Sequence, residues 1–346
     1  MRWLFIASGM KVPSTRFRVL PYLPFLRKAG HQCDLALSWP EKYDYHPWLG
    51  WRISQFVKRE RRKWQAWNAD RIHYDAILLE REIFHDPSYD IEMRFRKVTP
   101  RMVLDVDDGI FLNFPEKYEV LAKSSDAVLC GNSFLLDYTR PYNANVQLLP
   151  TCVELGHYPV RDAARDGAGG RVTIGWIGTT QNVAFLQVCA EALRNLSRRH
   201  SFRLLVVAPQ ADRLKDIDLS GVDVDFHKWS PETEIGLLHH MDLGIMPLPS
   251  DQEWMKYKCG LKLIQYLAVG IPGVASPIGV NEAILSGNQV GLAARSSEQW
   301  EVALETLLTD SALRLEMGKM GRLLVEKQYS VEGNWQLLER TLLPEG

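Results

Sequence analysis

The sequence predicts a doubly wound α/β protein built as two similar halves, and three observations carry that prediction. Short, nearly continuous apolar runs alternate with helical patterns along the chain. Such runs have the length and composition of strands buried on both faces of a parallel sheet. The alternation breaks once, in a glycine-rich stretch, and then restarts. At 346 residues the chain has room for two domains, each with its own core.

In the first half, apolar runs at 3–7, 34–37, 76–79, 102–104, 127–129 and 146–149 read as strands. Helical patterns lie between them at 19–29, 51–68, 88–97, 115–123 and 133–140. Strand followed by helix, repeated, is the pattern of a sheet covered on both faces. The break falls at 157–171, where YPVRDAARDGAGGR has few apolar residues and closes on Gly167, Gly169 and Gly170, the composition of a linker. Beyond it, strands are expected at 172–176, 203–207, 222–226, 243–246 and 273–275. The helices are expected at 182–196, 232–240, 261–269, 298–309 and 311–328. The expected domains are 1–158, with a C-terminal helix in 331–346 packing back on it, and 159–330. Open α/β sheets bind ligands beyond the carboxyl ends of their strands. Two such domains are expected to face each other across a cleft, with the chemistry in the loops after the strands.

Composition removes several alternatives. With 41 Lys and Arg against 42 Asp and Glu, the chain has no general attraction for nucleic acid. No apolar run approaches the roughly 20 residues that span a bilayer. The opening MRWLFIASG runs at once into Lys11, Pro13 and Arg16, so it reads as a first strand and not as a signal peptide. Cys33, Cys130, Cys152, Cys189 and Cys259 are odd in number and lack CxxC spacing, which argues against a disulfide framework or a structural zinc. A soluble cytoplasmic protein is the expectation.

The most informative stretch is 242–276. A strand ends in Pro247, a polar loop follows, and Cys259-Gly260 opens a helix that Gly270-Ile271-Pro272 closes. The first-turn amides of a helix have no partners within it and sit at the positive end of its dipole, which suits a phosphate. Lys256, Lys258 and Lys262 crowd this end, where cations are unfavourable to the helix itself unless an anion neutralises them. A solvated basic loop in front of an ordinary core helix is the competing reading.

GLKLIQYLAVGIPGVAS, preceded by DLGIMPLP, resembles the donor-binding segment of glycosyltransferase family 4, a retaining family with the GT-B fold of two Rossmann-like domains. PSTRFRVLPYLPFLRKAGH, VLDVDDGIF, LLPTCVELGHYP and IGWIGTTQN fall in the order of that family's other segments, so the resemblance covers nearly the whole chain. It implies transfer of a sugar, with retention, from a UDP- or GDP-sugar to a hydroxyl acceptor, with no metal and no resident cofactor. The implied donor contacts are Gly9, Gly178, Thr179, Thr180, His227, Lys258, Cys259, Gly260, Leu261 and Gln265. There are departures. Where the family has two Glu, this chain has Tyr257 and Gln265; the amide can still bind ribose hydroxyls, but the phenol supplies no carboxylate. The loop from Gly178 to Asn182 lacks the family's cations, so Lys258 or Lys262 is expected to hold the diphosphate. A sugar-nucleotide 2-epimerase and a non-catalytic nucleotide-sugar binder are the rival readings.

Three further features invite chemistry. Asp105, Asp107 and Asp108 end a strand, and carboxylates this close repel unless they bind a cation or hydroxyl groups. Sugar hydroxyls, a divalent metal and a structural turn all answer that need; Asp107 and Asp108, with Lys262, are the expected catalytic residues. Arg16 and Arg18 after the first strand, and Arg81 after the third, are expected on the acceptor side, with solvation or helix capping as the alternative. Finally, 51–67 sets six cations against Glu60 alone and interleaves them with Trp51, Phe56, Trp64 and Trp67. Such a helix either lies on an anionic membrane at the inner face, near a lipid-linked acceptor, or sends its aromatics into the core.

Overall fold

A computed structural model describes residues 1–162 and 170–344. Of the linker expected at 157–171, residues 163–169 lie outside the described residues. The chain forms two compact units: Met1–Cys152 with Tyr257–Cys259 and Val331–Gly346, and Val153–Lys256 with Gly260–Ser330.

The first unit is a parallel sheet of β1 (Arg2–Ala7), β2 (Gln32–Leu37), β3 (Ala76–Glu80), β4 (Met102–Val106), β5 (Ala127–Cys130) and β6 (Val146–Leu148). Its order is β2-β1-β3-β4-β5-β6. Alternate residues feed opposite faces: Leu4 and Ile6 enter one cluster, Trp3, Phe5 and Ala7 the other. Helices α1 (Pro13–Arg18), α2 (Leu23–Lys28), α3 (Gly50–Ile72), α4 (Asp90–Lys97), α5 (Pro115–Ser124) and α6 (Ser133–Thr139) connect the strands. The single helix expected at 19–29 is instead a 3₁₀ turn at Leu20–Tyr22 followed by α2, with α1 before it. Pro21 and Pro24 lack the amide hydrogen that a continuous helix needs, so the chain restarts at each.

The second unit holds β7 (Val172–Ile177), β8 (Phe202–Ala208), β9 (Val224–Lys228), β10 (Leu243–Met246), β11 (Gly273–Ala275) and β12 (Gly291–Ala293), in the order β12-β11-β10-β7-β8-β9. Its helices are α7 (Ala190–Ser197), α8 (Glu234–His239), α9 (Leu261–Ala268), α10 (Val280–Leu285), α11 (Ser297–Thr309) and α12 (Ser311–Gln328). Residues 182–188, expected as the start of a helix over 182–196, instead belong to a 3₁₀ segment, Thr180–Val188, before α7. The last helix, α13 (Val331–Leu342), belongs to the first unit, where Val331, Leu338 and Leu342 are buried and Thr341 accepts a hydrogen bond from Arg101 at 2.8 Å. Among the described residues no helix is long and apolar enough to cross a membrane.

Several charges in the first unit are buried in pairs. Lys42 donates to the Glu82 carboxylate at 2.8 Å, and both side chains are almost inaccessible. Burial alone would raise the Glu82 carboxyl, but the Lys42 charge and hydrogen bonds from His85 and Lys42 bring it down to about 2. A depressed carboxyl pKa contributes stability that is complete above the unfolded value of about 4.3 and is lost as pH falls from there towards 2. Denaturant titrations between pH 5 and pH 2 should therefore show the wild type losing about 3 kcal/mol more than Glu82→Gln across this window. The variant starts lower, because Lys42 is left without its charge partner, but its profile is flatter. Parallel profiles would overturn the assignment.

Candidate functional site

In the second unit the sheet order reverses between β7 and β10: β7 runs on to β8 on one side, while β10 leads away on the other. In doubly wound sheets the loops at the carboxyl end of such a switch point form the ligand crevice. Gly178 follows β7, and the segment that follows β10 ends in α9. The two meet. The Lys262 ammonium lies 5.8 Å from the centre of the Trp176 ring. A Cβ placed on Gly178 would come within 2.6 Å of Trp176 and 2.8 Å of the Lys262 Cε, so only glycine lets the lysine lie across this loop. Gly260 is the N-cap of α9 with φ +67, a conformation that costs most other residues about 1–2 kcal/mol, and no side chain caps the helix. A cation and a helix N-terminus thus converge beside the β7 loop.

Other residues expected at the donor have different partners. The Gly178 amide donates to the Val207 carbonyl at 3.0 Å, continuing the ladder to β8, so it is not offered to a phosphate. Thr179 and Thr180 are half-buried where the 3₁₀ segment begins. His227 lies within β9, not in the loop after it, because the strand runs on to Lys228; its half-exposed ring contacts Asp225 at 3.1 Å. Leu261 is the first residue of α9. Gln265 is buried, and its amide donates to the Tyr158 hydroxyl at 2.9 Å and to Glu234 at 3.1 Å. Glu234 also accepts from Tyr158 at 3.0 Å and from the Trp229 indole at 2.7 Å. This buried carboxylate went unread in the sequence, although Trp229 and the start of α8 mark its neighbourhood. It stands next to the position where the family resemblance puts a glutamate and this chain has Gln265.

Tyr257, Lys258 and Cys259 belong to the first unit. Tyr257 is buried, edge-on to Phe111 with ring centres 4.8 Å apart, and its carbonyl accepts from Asn132 at 2.8 Å. The residue that replaces the family's first glutamate is therefore part of an aromatic core. Cys259 donates its thiol to the Asp107 carbonyl at 2.7 Å, and burial pushes the thiol up to about 12, so it acts as a packed neutral group. Lys258 opposes, by its charge, the rise that burial imposes on Asp108. Of the two lysines weighed for the diphosphate, Lys262 stands with the β7 loop and Lys258 belongs to the first unit.

The first unit also has a switch point, between β1 and β3. Glu80, the last residue of β3, accepts from the hydroxyls of Ser14 and Thr15 and from the Ser8 amide. Thr15 in turn accepts from the Gly9 amide at 3.3 Å, so Gly9 is committed inside the loop. Arg16 is half-buried, 5.1 Å from the centre of the Phe17 ring. Arg18 is not an acceptor-side residue. It is fully buried, bonded to Asp105 at 2.5 and 3.0 Å and to the Leu149 carbonyl at 2.7 Å. Arg81 has a left-handed backbone, φ +53, a strained conformation for an arginine. Its guanidinium bonds Asp107 and lies 3.7 Å from Asp108. Burial would raise the Asp107 carboxyl, but Arg81 holds it below the usual range, while Asp108 stays raised. Asp105 and Asp107, the two carboxylates of a DxD metal motif, are thus each committed to a different guanidinium. Among the described residues no three His, Cys, Asp or Glu gather as a metal ligand set.

The family model of glycosyl transferases group 1 matches residues 171–310. The match spans most of the second unit. No curated protein matches the chain by sequence. Among solved structures, sucrose-phosphate synthase from Thermosynechococcus elongatus is similar, with a TM-score of 0.73 at 16% identity, covering 98% of this chain and 97% of that one. HepE from Anabaena, solved with UDP-glucose, gives 0.69 at 11% identity over 99% of both chains. A glycosyltransferase from Rickettsia africae gives 0.70 at 12% identity over 99% of this chain and 97% of that one. At these identities the likeness shows the fold, and the fold is GT-B. Within the matched segment, Lys262 and the amino end of α9 bring a cation and a helix N-terminus together beside the β7 loop.

Proposed function

We propose that the protein transfers a sugar from a nucleoside-diphosphate sugar to a hydroxyl acceptor, with the diphosphate held at the amino end of α9 by Lys262 and main-chain amides. The observation that carries this reading is Lys262 lying over Trp176 against Gly178, at the switch point of the segment that resembles group 1 glycosyl transferases. A departing diphosphate gathers negative charge as the glycosidic bond breaks. A fixed ammonium and a helix N-terminus aimed at that charge lower the barrier without reorganising. UDP is the first nucleotide to test, since HepE was solved with UDP-glucose. The resemblance supports retention of configuration, and the reading calls for no metal and no resident cofactor.

A non-catalytic nucleotide-sugar binder is the second reading, and one observation favours it: Tyr257 stands buried where the resemblance puts a glutamate. Thermal shifts with UDP, GDP and their sugars, followed by product analysis, separate the two. A ligand that binds only the folded state raises the melting temperature by mass action. Release of diphosphate with a new glycoside supports transfer. Binding without turnover, across a panel of hydroxyl acceptors, supports the second reading. No shift with any nucleotide overturns both.

A further inference from the structure

Helix α3 is built inside out. Its inward face carries Ser54, Lys58, Arg62, Gln65, Ala66 and Ala69. Lys58 donates to the carbonyls of Lys42 at 3.0 Å and Asp44 at 2.5 Å. Arg62 donates to Ala36 at 2.6 Å and to Ala7 at 2.7 Å, and Gln65 to Leu37 at 3.0 Å. Ala7 and Leu37 are the last residues of β1 and β2; the Ala7 carbonyl also accepts from the Ser38 amide at 3.1 Å, and Arg62 and Gln65 add side-chain donors at these strand ends. The aromatics go outward. Ile53, Phe56, Trp64 and Trp67, spaced along one face, are 52, 63, 57 and 50% exposed, and Trp48, before the helix, and Trp51, in its first turn, are 78 and 63% exposed. The alternative in which these aromatics fill the core is therefore wrong. Single exposed apolar side chains are ordinary, but four large ones along one helix face mark a contact surface.

We propose that this stripe docks on an anionic lipid surface. Tryptophan is the side chain best matched to the headgroup region, where its ring leaves water and its N–H stays solvated. Arg52, Arg61 and Arg71 accompany the stripe against Asp70, while Lys63 is paired with Glu60 at 2.7 Å, and Arg71 stacks over Trp67 at 3.6 Å. A second copy of the chain would set these cations against themselves, whereas anionic headgroups neutralise them.

Co-sedimentation of the full chain with phosphatidylglycerol–phosphatidylcholine vesicles tests this. The protein should bind them at least about ten-fold better than phosphatidylcholine alone, and high salt should weaken the preference. Phe56→Ser/Trp64→Ser/Trp67→Ser should lower partitioning about ten-fold, and Arg52→Glu/Arg61→Glu should lower it on the anionic vesicles alone. These positions point away from the core, so melting temperature and nucleotide binding should stay at wild-type values, which verifies folding. Wild type left in the supernatant, or the triple variant bound as well as wild type, overturns the proposal. So does a dimer that the triple variant dissolves in the absence of vesicle binding. The inference is independent of the donor reading, because vesicle binding needs no nucleotide.

Discussion

Replacing Lys262 by alanine is expected to weaken the binding of UDP, or of whichever diphosphate the thermal shifts select, by about ten- to a hundred-fold. That range is the 1.5–3 kcal/mol typical of a hydrogen bond to a charged group, read as affinity. The loss should fall on the phosphates and not on the base, so the affinity of the free nucleoside should change little. Lys258→Ala is the matched control. It removes an equal charge three residues before Leu261, but one that belongs to the first unit and acts on Asp108. Titration calorimetry should show near wild-type diphosphate affinity for that variant. Alanine is a better helix former than lysine, and Lys262 is only half-buried, so the Lys262 variant should fold. An unchanged dissociation constant for Lys262→Ala would remove the diphosphate from the end of α9, and the proposed function with it.

The strands were legible because parallel strands buried on both faces are short apolar runs that few other structures imitate. β10 and β11 fall where the sequence places them, residue for residue. What escaped is what depends on distant partners. The sequence shows the helical period of α3 but not its sense, because the carbonyls that draw Lys58 and Arg62 inward lie at the ends of other elements. Aromatics normally go in and cations out, and that prior fails here. His227 was misplaced because the strand ends two residues beyond its apolar run. Gln265 reads as a ribose ligand until Glu234, thirty-one residues earlier, is seen to hold its amide. The pairing of Lys262 with the β7 loop was half legible: the sequence showed a loop lacking cations and two lysines able to serve it. Only the fold separates the two, by giving Lys258 to the other unit.

Arg18 makes the sharpest case of a residue whose role reverses between sequence and structure, and it carries the largest expected effect on stability. After the first strand and beside Pro13-Ser14-Thr15, it reads as a cation facing a ligand. In the structure it ties β4 to the end of β6, and the neighbouring Asp105 holds its guanidinium firmly protonated. Arg18→Met leaves a buried carboxylate without its cation and the Leu149 carbonyl without this donor. Removing one partner of a buried pair costs about 3–5 kcal/mol, because the other charge stays in a medium that solvates it poorly. Asp105 can escape by taking up a proton, which burial already favours, so the loss should be larger at pH 8 than at pH 5. Exchanging both partners for apolar residues, as Arg18→Met/Asp105→Leu, should recover most of the stability, since a buried ion pair and well-packed hydrocarbon are often equivalent. Denaturant titration of the single and double variants reads this directly, with nucleotide binding as the check that the C-terminal domain stays folded. If Arg18→Met kept wild-type stability but lost turnover, Arg18 would return to the acceptor side, where the sequence had put it.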